Sequence, residues 1–343
     1  MLEKIFQWMK IQDEIGEPPW GYDFLFNLPE SDYPKYLKKI FKYRTNQSVN
    51  LLPSGSKMCR GGGFSRLKFN DNANLKTFNQ KIQWIKLYGI TPLMRDCTDK
   101  VKVRDFVREK IGNEYLKPVL QIIPNCHDIN AAFTAPRSDN DVSTYFDQIN
   151  WEKLPDSFVI KCNHGSKWQY IINNKAELIE NKRMYEIVKK NITGWLEQEF
   201  WCWNGFEMQY KGIEPKIIIE PLLKEDVNGF SEEINVFCFN GKPKYIIKMH
   251  NQKQISAYDE NLQITDDVFD AEEMNFAVPA DEIIIQTCDL SKKLSNNFNF
   301  VRVDWLIYKN KPYFNELTFT PYSGFRRFKR DEYDKRFGSW IGI

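Results

Sequence analysis

At 343 residues and 40.8 kDa the chain can bury a sizeable core and has room for two or three domains. Forty-eight Lys and Arg against 46 Asp and Glu leave a net charge of +2, and aromatics reach 15%, which excludes general disorder and a polybasic nucleic-acid binder. Mean hydropathy is −0.55, and no apolar run approaches the roughly 18–20 residues of a membrane span. The first twenty residues are amphipathic and carry charges where a signal peptide would be apolar, so a cytoplasmic protein is expected. Seven scattered cysteines without a Cys-x-x-Cys pair read as buried free thiols rather than as disulfides or a zinc site.

Residues 1–50 alternate short helical patterns with Pro breaks, and 53–66 form an exposed basic turn around Gly61 to Gly63 that lacks P-loop spacing. Over 74–90, Phe78, Ile82, Ile85 and Tyr88 recur at helical spacing, with Gly89 as the stop. A second helix is predicted after Thr98 or Asp99 as N-cap, with Val103, Phe106, Val107 and Ile111 on one face and Gly112 at its end. Near residue 150 the character changes to short β-rich runs at 157–162, 169–173, 215–221, 234–241, 244–250, 300–309 and 312–321. Asn240-Gly241 marks a hairpin, and helical patterns occupy 175–200 and 281–296. The order predicts an α+β protein of two packed lobes with largely antiparallel sheets. We expect an N-terminal, mostly helical region over 1–95 and one domain over 96–343, its first lobe at about 150–215 and its second at about 216–330.

Four segments carry chemistry. In Phe158-Val-Ile-Lys161-Cys-Asn163-His164-Gly165-Ser166 an apolar strand delivers a Lys and then a small polar loop, a pattern that suits phosphate: amides as donors, Lys161 as point charge. The strand Ile217-Ile-Ile-Glu220 runs into Pro221 and Leu222, extended chain with the backbone donor and acceptor an adenine edge requires. Arg302 and Asp304 share one strand face, as do Glu316 and Thr318, and so many polar groups together suit a hard cation such as Mg²⁺ or an Arg–carboxylate pair. Pro321-Tyr-Ser-Gly324-Phe-Arg326-Arg327 follows as a small-residue turn whose arginines can hold a carboxylate or phosphate, and Arg326 is taken with the catalytic set. Of the three histidines only His164 falls in a candidate site, as a phosphate-loop donor; His127 and His250 read as structural or surface residues. The Trp-rich stretch Trp195 to Trp203 reads as core packing before sugar stacking.

Lys100, Lys161 with its glycine loop, the Ile-Ile-Glu-Pro-Leu-Leu run, Arg-x-Asp and Asn-Glu-x-Thr, in this order, resemble the ATP-grasp superfamily. More narrowly, Thr77 to Trp84, Asp99 to Arg104, Phe158 to Ser166, Phe237 to Pro243 and Val301 to Asp304 resemble the TupA-like ATP-grasp family, associated with teichuronopeptide and other cell-surface polysaccharide synthesis; the likeness spans roughly 74–327. It implies an ATP-grasp fold whose two lobes clasp the nucleotide. It implies that Lys100 and Lys161 contact phosphates, that Asn163 to Ser166 close over them, that Glu220, Pro221 and Leu222 hold adenine, and that Glu225 or Asp226 meets the ribose. Asp304, Glu316 and Thr318 would bind Mg²⁺, and Arg302 would face developing negative charge. The chain departs from the family pattern at Thr318, where Asn is usual, and at Glu233-Ile-Asn235, where Asp-Tyr-Lys is usual.

The implied activity is that of an ATP-dependent carboxylate–amine ligase with ATP and Mg²⁺ as cofactors. Its expected partners are a small-molecule amine and a carboxylate-bearing glycan or sugar precursor. A kinase on a sugar or glycan would use the same nucleotide machinery, and a non-catalytic nucleotide-binding subunit of polysaccharide assembly is the reading from another class.

Overall fold

The computed structural model describes residues 75–124, 142–202, 207–224, 231–251, 254–269, 274–276, 278–324 and 326–343. Eleven strands and seven α-helices lie among them, in two sheets. The smaller sheet has four antiparallel strands in the order β1-β4-β2-β3: β1 Gln121–Ile123, β2 Phe158–Cys162, β3 Gln169–Ile172 and β4 Ile217–Pro221. This sheet therefore reaches past residue 215, where the division between lobes was expected, because β4 pairs along the full length of β2. Helices α4 (Lys175–Glu180) and α5 (Lys182–Leu196) cover it. The sequence reads them as one helix; Asn181 divides them, its side chain accepting from the Met184 amide as the N-cap of α5. Ile160, Cys162, Ile192, Ile217 and Ile219 are fully closed to water in the core between sheet and helices.

The larger sheet runs β11-β10-β5-β6-β7-β8, antiparallel throughout, with β9 (Met274–Asn275) parallel to β7. Its strands are β5 Glu233–Phe239, β6 Lys242–Met249, β7 Gln254–Asp259, β8 Ile264–Thr265, β10 Phe300–Tyr308 and β11 Lys311–Thr318. The β5–β6 hairpin turns on Asn240 and Gly241 at φ +48° and +74°, as the Asn-Gly dipeptide predicts. The β10–β11 turn uses Lys309 and Asn310 at φ +50° and +56°, without the glycine that would announce it.

Helix α1 (Phe78–Trp84) carries a capping box between Thr77 and Gln80 and inserts Phe78 edge-on against Phe239, Phe300, Phe328 and Phe337. The predicted helix over 74–90 is not uniform. It changes at Ile85 into one π-helical turn, Ile85–Gly89. Helix α2 (Pro92–Thr98) went unpredicted, although Thr91 as N-cap followed by Pro92 is a recognisable start. As a consequence Thr98 closes α2, and the expected N-cap is corrected: α3 (Val103–Ile111) begins after Lys102, and the Asp99 carboxylate instead accepts from the Val101 amide at 2.8 Å in the turn before it. Gly112 ends α3 at φ +102°, as expected. Helices α6 (Glu282–Ser295) and α7 (Asp331–Trp340) complete the large core; α7 also went unread. Cys97, Cys162, Cys238 and Cys288 are free thiols, the first three buried. No helix of the described residues is long and apolar enough to cross a membrane.

Candidate functional site

On the small sheet Val159 stands opposite Glu220 and Lys161 opposite Ile218, which makes Lys161 and Glu220 diagonal neighbours on one face. Lys161 Nζ lies 2.8 Å from Glu220 Oε2, and Lys117 Nζ, from the segment leading into β1, lies 3.1 Å from the same oxygen. Arg104 of α3 adds a guanidinium nitrogen 3.7 Å from Oε1 and donates to the Lys117 carbonyl at 2.7 Å. One buried carboxylate thus gathers three cations. Burial by itself would raise the pKa of Glu220, but Lys117 and Lys161 overcome it and hold the acid well below its usual range. Burial pushes Lys117 down, with Lys161 adding to the effect against the pull of Glu220. Lys117 and Arg104 were missed as site residues; a Lys two residues after a helix-ending segment has no signal of its own.

The loop after β2 is built differently from its expected role. Asn163 is fully buried: its amide nitrogen donates to Asp99 Oδ1 at 3.0 Å and to the Glu214 carbonyl at 2.9 Å, and its Oδ1 accepts from the Lys216 amide at 2.6 Å. The ring of His164 faces inward, Nε2 lying 3.1 Å from the Trp195 carbonyl and 3.2 Å from that of Gln198, with Nδ1 3.2 Å from Asn163 Oδ1. Burial pushes this imidazole down to about 4. Both side chains are thus engaged in hydrogen bonds inside the fold. The short loop has to spend these side chains on holding its own shape. Gly165 is required by close approach: a Cβ there would meet Trp168 Cε3 at 2.3 Å. Lys100 folds back to the loop, its ammonium donating to the Gly165 carbonyl.

The carboxylate pair lies on the neighbouring sheet. Arg302 pairs in register with Thr318 and Asp304 with Glu316, which brings the four polar groups onto one face as their spacing predicts. Arg302 grips Asp304 with both ends of its fork, Nε to Oδ1 and a terminal nitrogen to Oδ2, each at 2.6 Å. Thr318 Oγ1 lies 3.1 Å from Asp304 Oδ2 and 3.1 Å from Glu316 Oε1. Burial pushes Asp304 up to about 7 despite Arg302, while Lys100 and Arg302 bring Glu316 below its usual range in spite of burial. A bulge follows at once: Trp305 pairs with Phe314, leaving Asn315 as the extra residue, and its Oδ1 accepts from Lys117 Nζ at 3.0 Å. Asn315 stands in the Asn-Glu-x-Thr run, but strand alternation could not give its contact with Lys117.

Two carboxylates and a hydroxyl form the hard-oxygen donor set that Mg²⁺ takes when phosphates supply its other ligands. Among the described residues no group of three or more His, Cys, Asp or Glu side chains stands ready to hold a metal by itself. Past β11 the chain turns through Tyr322 and Ser323 at φ +52° and +54°. Arg326 lays its guanidinium 4.2 Å from the Tyr322 ring centroid, and its Nε is buried without a hydrogen-bond partner. Pro221 ends β4 directly after Glu220 and Leu222 follows it, and Ser166 lies within the β2–β3 loop. Glu225 and Asp226 lie outside the described residues, as do His127 and residues 53–66.

A family described as TupA-like ATPgrasp matches residues 137–342. Among solved structures the chain is similar to a D-alanine–D-alanine ligase from Bacillus anthracis complexed with ATP, at 18% identity over 65% of this chain and 53% of that one, with a TM-score of 0.32. It is also similar to the D-alanine–D-alanine ligase from Helicobacter pylori, at 13% identity over 77% and 69% with a TM-score of 0.38. An ADP complex of N5-carboxyaminoimidazole ribonucleotide synthetase gives 11% identity over 70% and 50% with a TM-score of 0.36. The chain spans about half the length of the Bacillus anthracis ligase it matches. No curated protein matches it.

Proposed function

Because the chain belongs to the TupA-like ATP-grasp family, we propose that it is an ATP-dependent carboxylate–amine ligase acting on cell-surface polysaccharide. Its substrates in this reading are an amino acid or amino compound and a uronic-acid-bearing glycan or glycan precursor. The observation that carries the proposal is that the cations beside the small sheet reach the carboxylate strand: Lys117 Nζ, paired with Glu220, also donates to Asn315 Oδ1 at 3.0 Å, next to Glu316.

In the proposed reaction a carboxylate oxygen of the acceptor attacks the γ-phosphorus of ATP and the bond to ADP breaks, giving an acyl phosphate. The amine nitrogen then attacks the acyl carbon, phosphate leaves, and the nitrogen gives up its proton. Phosphoryl transfer asks mainly for positioning and charge neutralisation. Lys161 and Lys117 neutralise phosphate oxygens from the small sheet, already oriented by Glu220. Lys100 closes the loop at Gly165 over the same oxygens. Backbone of Glu220 to Leu222 receives adenine, and Glu225 or Asp226 meets the ribose. Asp304, Glu316 and Thr318 would hold Mg²⁺, which supplies charge neutralisation to the phosphates when bound. Arg302, beside Asp304, steadies the oxyanion of the second step. Arg326, with an unpartnered Nε on the Tyr322 face, receives the acceptor carboxylate. The domain division we adopt keeps the boundary between 95 and 96 and moves the end of the first lobe from about 215 to the end of β4 at Pro221.

The test is Mg·ATP titration calorimetry of wild type and Lys161→Ala, followed by turnover with hydroxylamine. Binding lost in the variant and hydroxamate formed with a uronate acceptor are expected. ADP formation without hydroxamate would make the protein a kinase; nucleotide binding without turnover across acceptors would make it a non-catalytic subunit.

A further inference from the structure

A cavity of about 360 Å³ opens on the far side of the elements that hold the Tyr322 turn, lined by Tyr88, Ile90, Arg95, Met208 and Lys211 among others. Its walls are the π-helical turn after α1, the helix α2 and the short helical turn Met208–Tyr210. The chemistry is uneven. Tyr88 presents an aromatic ring that is 42% exposed, Ile90 and Met208 are apolar, and Arg95 and Lys211 are the charged groups, both cationic. Arg95 is exposed, and its side chain makes no ion pair among the described residues; Lys211 lies 5.3 Å from the Trp201 ring centroid.

Two of these walls, the π-helical turn and the Met208–Tyr210 turn, are bonded on their inner side to the chain that leaves the carboxylate centre. Lys86, one residue before the groove, is fully buried and donates to the Ser323 carbonyl at 2.8 Å and Ser323 Oγ at 2.9 Å. Gln209, between Met208 and Tyr210, donates to Thr320 Oγ1 at 2.6 Å, and Thr320 donates in turn to Glu207. Thr320 and Ser323 flank Tyr322, only two and five residues beyond Thr318. The groove is thus the outer surface of the two segments whose inner surface fixes the end of the reaction site.

We propose that this groove is a subsite for an anionic pyranose, whose charged group meets Arg95 and Lys211 while its apolar ring face lies on Tyr88. An aromatic plane beside two cations, with no carboxylate among the described residues that line the groove, matches a ring with one hydrophobic face and one negative substituent. A sugar carboxylate and a sugar phosphate share this chemistry. The subsite extends the ligase reading, in which the acceptor is a chain longer than the group that reacts, but it stands on its own contacts.

The test is ligand-observed NMR titration of the full chain, without nucleotide, using D-glucuronate, glucose 1-phosphate and neutral methyl glucoside. Saturable binding of an anionic sugar is expected, with the neutral glucoside at least about tenfold weaker, the scale of one charge-assisted contact. Arg95→Ala with Lys211→Ala should weaken the anion by a similar factor, Tyr88→Ala should weaken it too, and Mg·ATP affinity measured in parallel should stay unchanged. Preference between the two anionic probes identifies carboxylate or phosphate as the group read. No saturable binding to wild type, equal binding of the neutral glucoside, or an unaffected Arg95→Ala/Lys211→Ala protein overturns the proposal. Because the titration omits nucleotide, a failure of ATP binding leaves this result intact, and the reverse holds as well.

Discussion

Lys161 Nζ stands 2.8 Å from Glu220 Oε2 across two neighbouring strands, with both side chains nearly closed to water. The pair is not an isolated bridge, since Lys117 and Arg104 lean on the same carboxylate. Three cations stay close together in the absence of a ligand only because Glu220 neutralises part of their charge. A polyphosphate entering this space would take over that role.

Glu220→Gln should therefore destabilise the ligand-free protein by about 3–5 kcal/mol, the cost of leaving buried charge uncompensated. Urea unfolding measures it. Added ATP should recover more stability in the variant than in wild type, because the anion replaces what was lost; equal ATP shifts in both proteins would contradict the assignment.

The same carboxylate sets an acid limit. Its folded pKa is depressed relative to the unfolded chain, so it contributes stability above the unfolded value, and that contribution is lost as pH falls through the range below about 4.5. Wild type should lose stability more steeply than Glu220→Gln on acidification from pH 5 downward, in fluorescence-monitored unfolding at a series of pH values. Parallel curves for the two proteins would contradict this account.

Asp304→Asn and Glu316→Gln should each lower ADP formation by about 10²-fold or more, since both carboxylates belong to the charge-compensating centre on the β10–β11 pair. Asp304→Asn also leaves Arg302 without its fork partner and should cost stability in addition; Glu316→Gln, whose carboxylate is 3.9 Å from Arg302, should cost less. Steady-state turnover and thermal unfolding read the two effects separately. Unaltered turnover in both proteins would remove the ligase reading.

Gly165→Ala forces a Cβ to within 2.3 Å of Trp168. The indole has nowhere to yield, lying edge-on to Phe200 with centroids 5.1 Å apart and stacked with Trp195 at 6.2 Å. A loss of about 1–3 kcal/mol is expected, the range for overpacking, with weakened nucleotide binding. Combining it with Trp168→Ala should cost less than the sum of the two single changes, because the clash is gone.

Lys86→Met keeps the volume but strips the Ser323 carbonyl and Gln83 Oε1 of a buried donor, at a cost of about 2–3 kcal/mol. The left-handed turn at Tyr322 and Ser323 should then relax, and KM for the acceptor should rise more than KM for ATP, as read from initial rates.

Much of this protein was legible in one dimension. Alternation alone put Arg302 with Asp304 and Glu316 with Thr318, because a strand's period of two does not depend on its surroundings. Asn240-Gly241 specified its hairpin for the same local reason. Lys161 was visible because an apolar strand ended in a charge.

What tertiary structure decided was which distant groups meet and which way flexible side chains turn. Asn163 and His164 sit in the predicted loop but point inward, since Asp99, the Lys216 amide and the carbonyls at and just beyond the end of α5 reach them only once the lobes are folded. Lys117 and Asn315 enter the site through a connecting segment and a bulge, neither of which has a periodic signature, and Arg104 through a helix whose period is legible but whose partner Glu220 is not. Glu220 read as adenine-holding backbone, and its side chain became the counter-charge of three cations. Sequence determines local conformation through sterics and hydrogen bonds between near neighbours. Charge compensation in a low-dielectric interior is a property of the assembled neighbourhood, and no stretch of this chain contains that neighbourhood by itself.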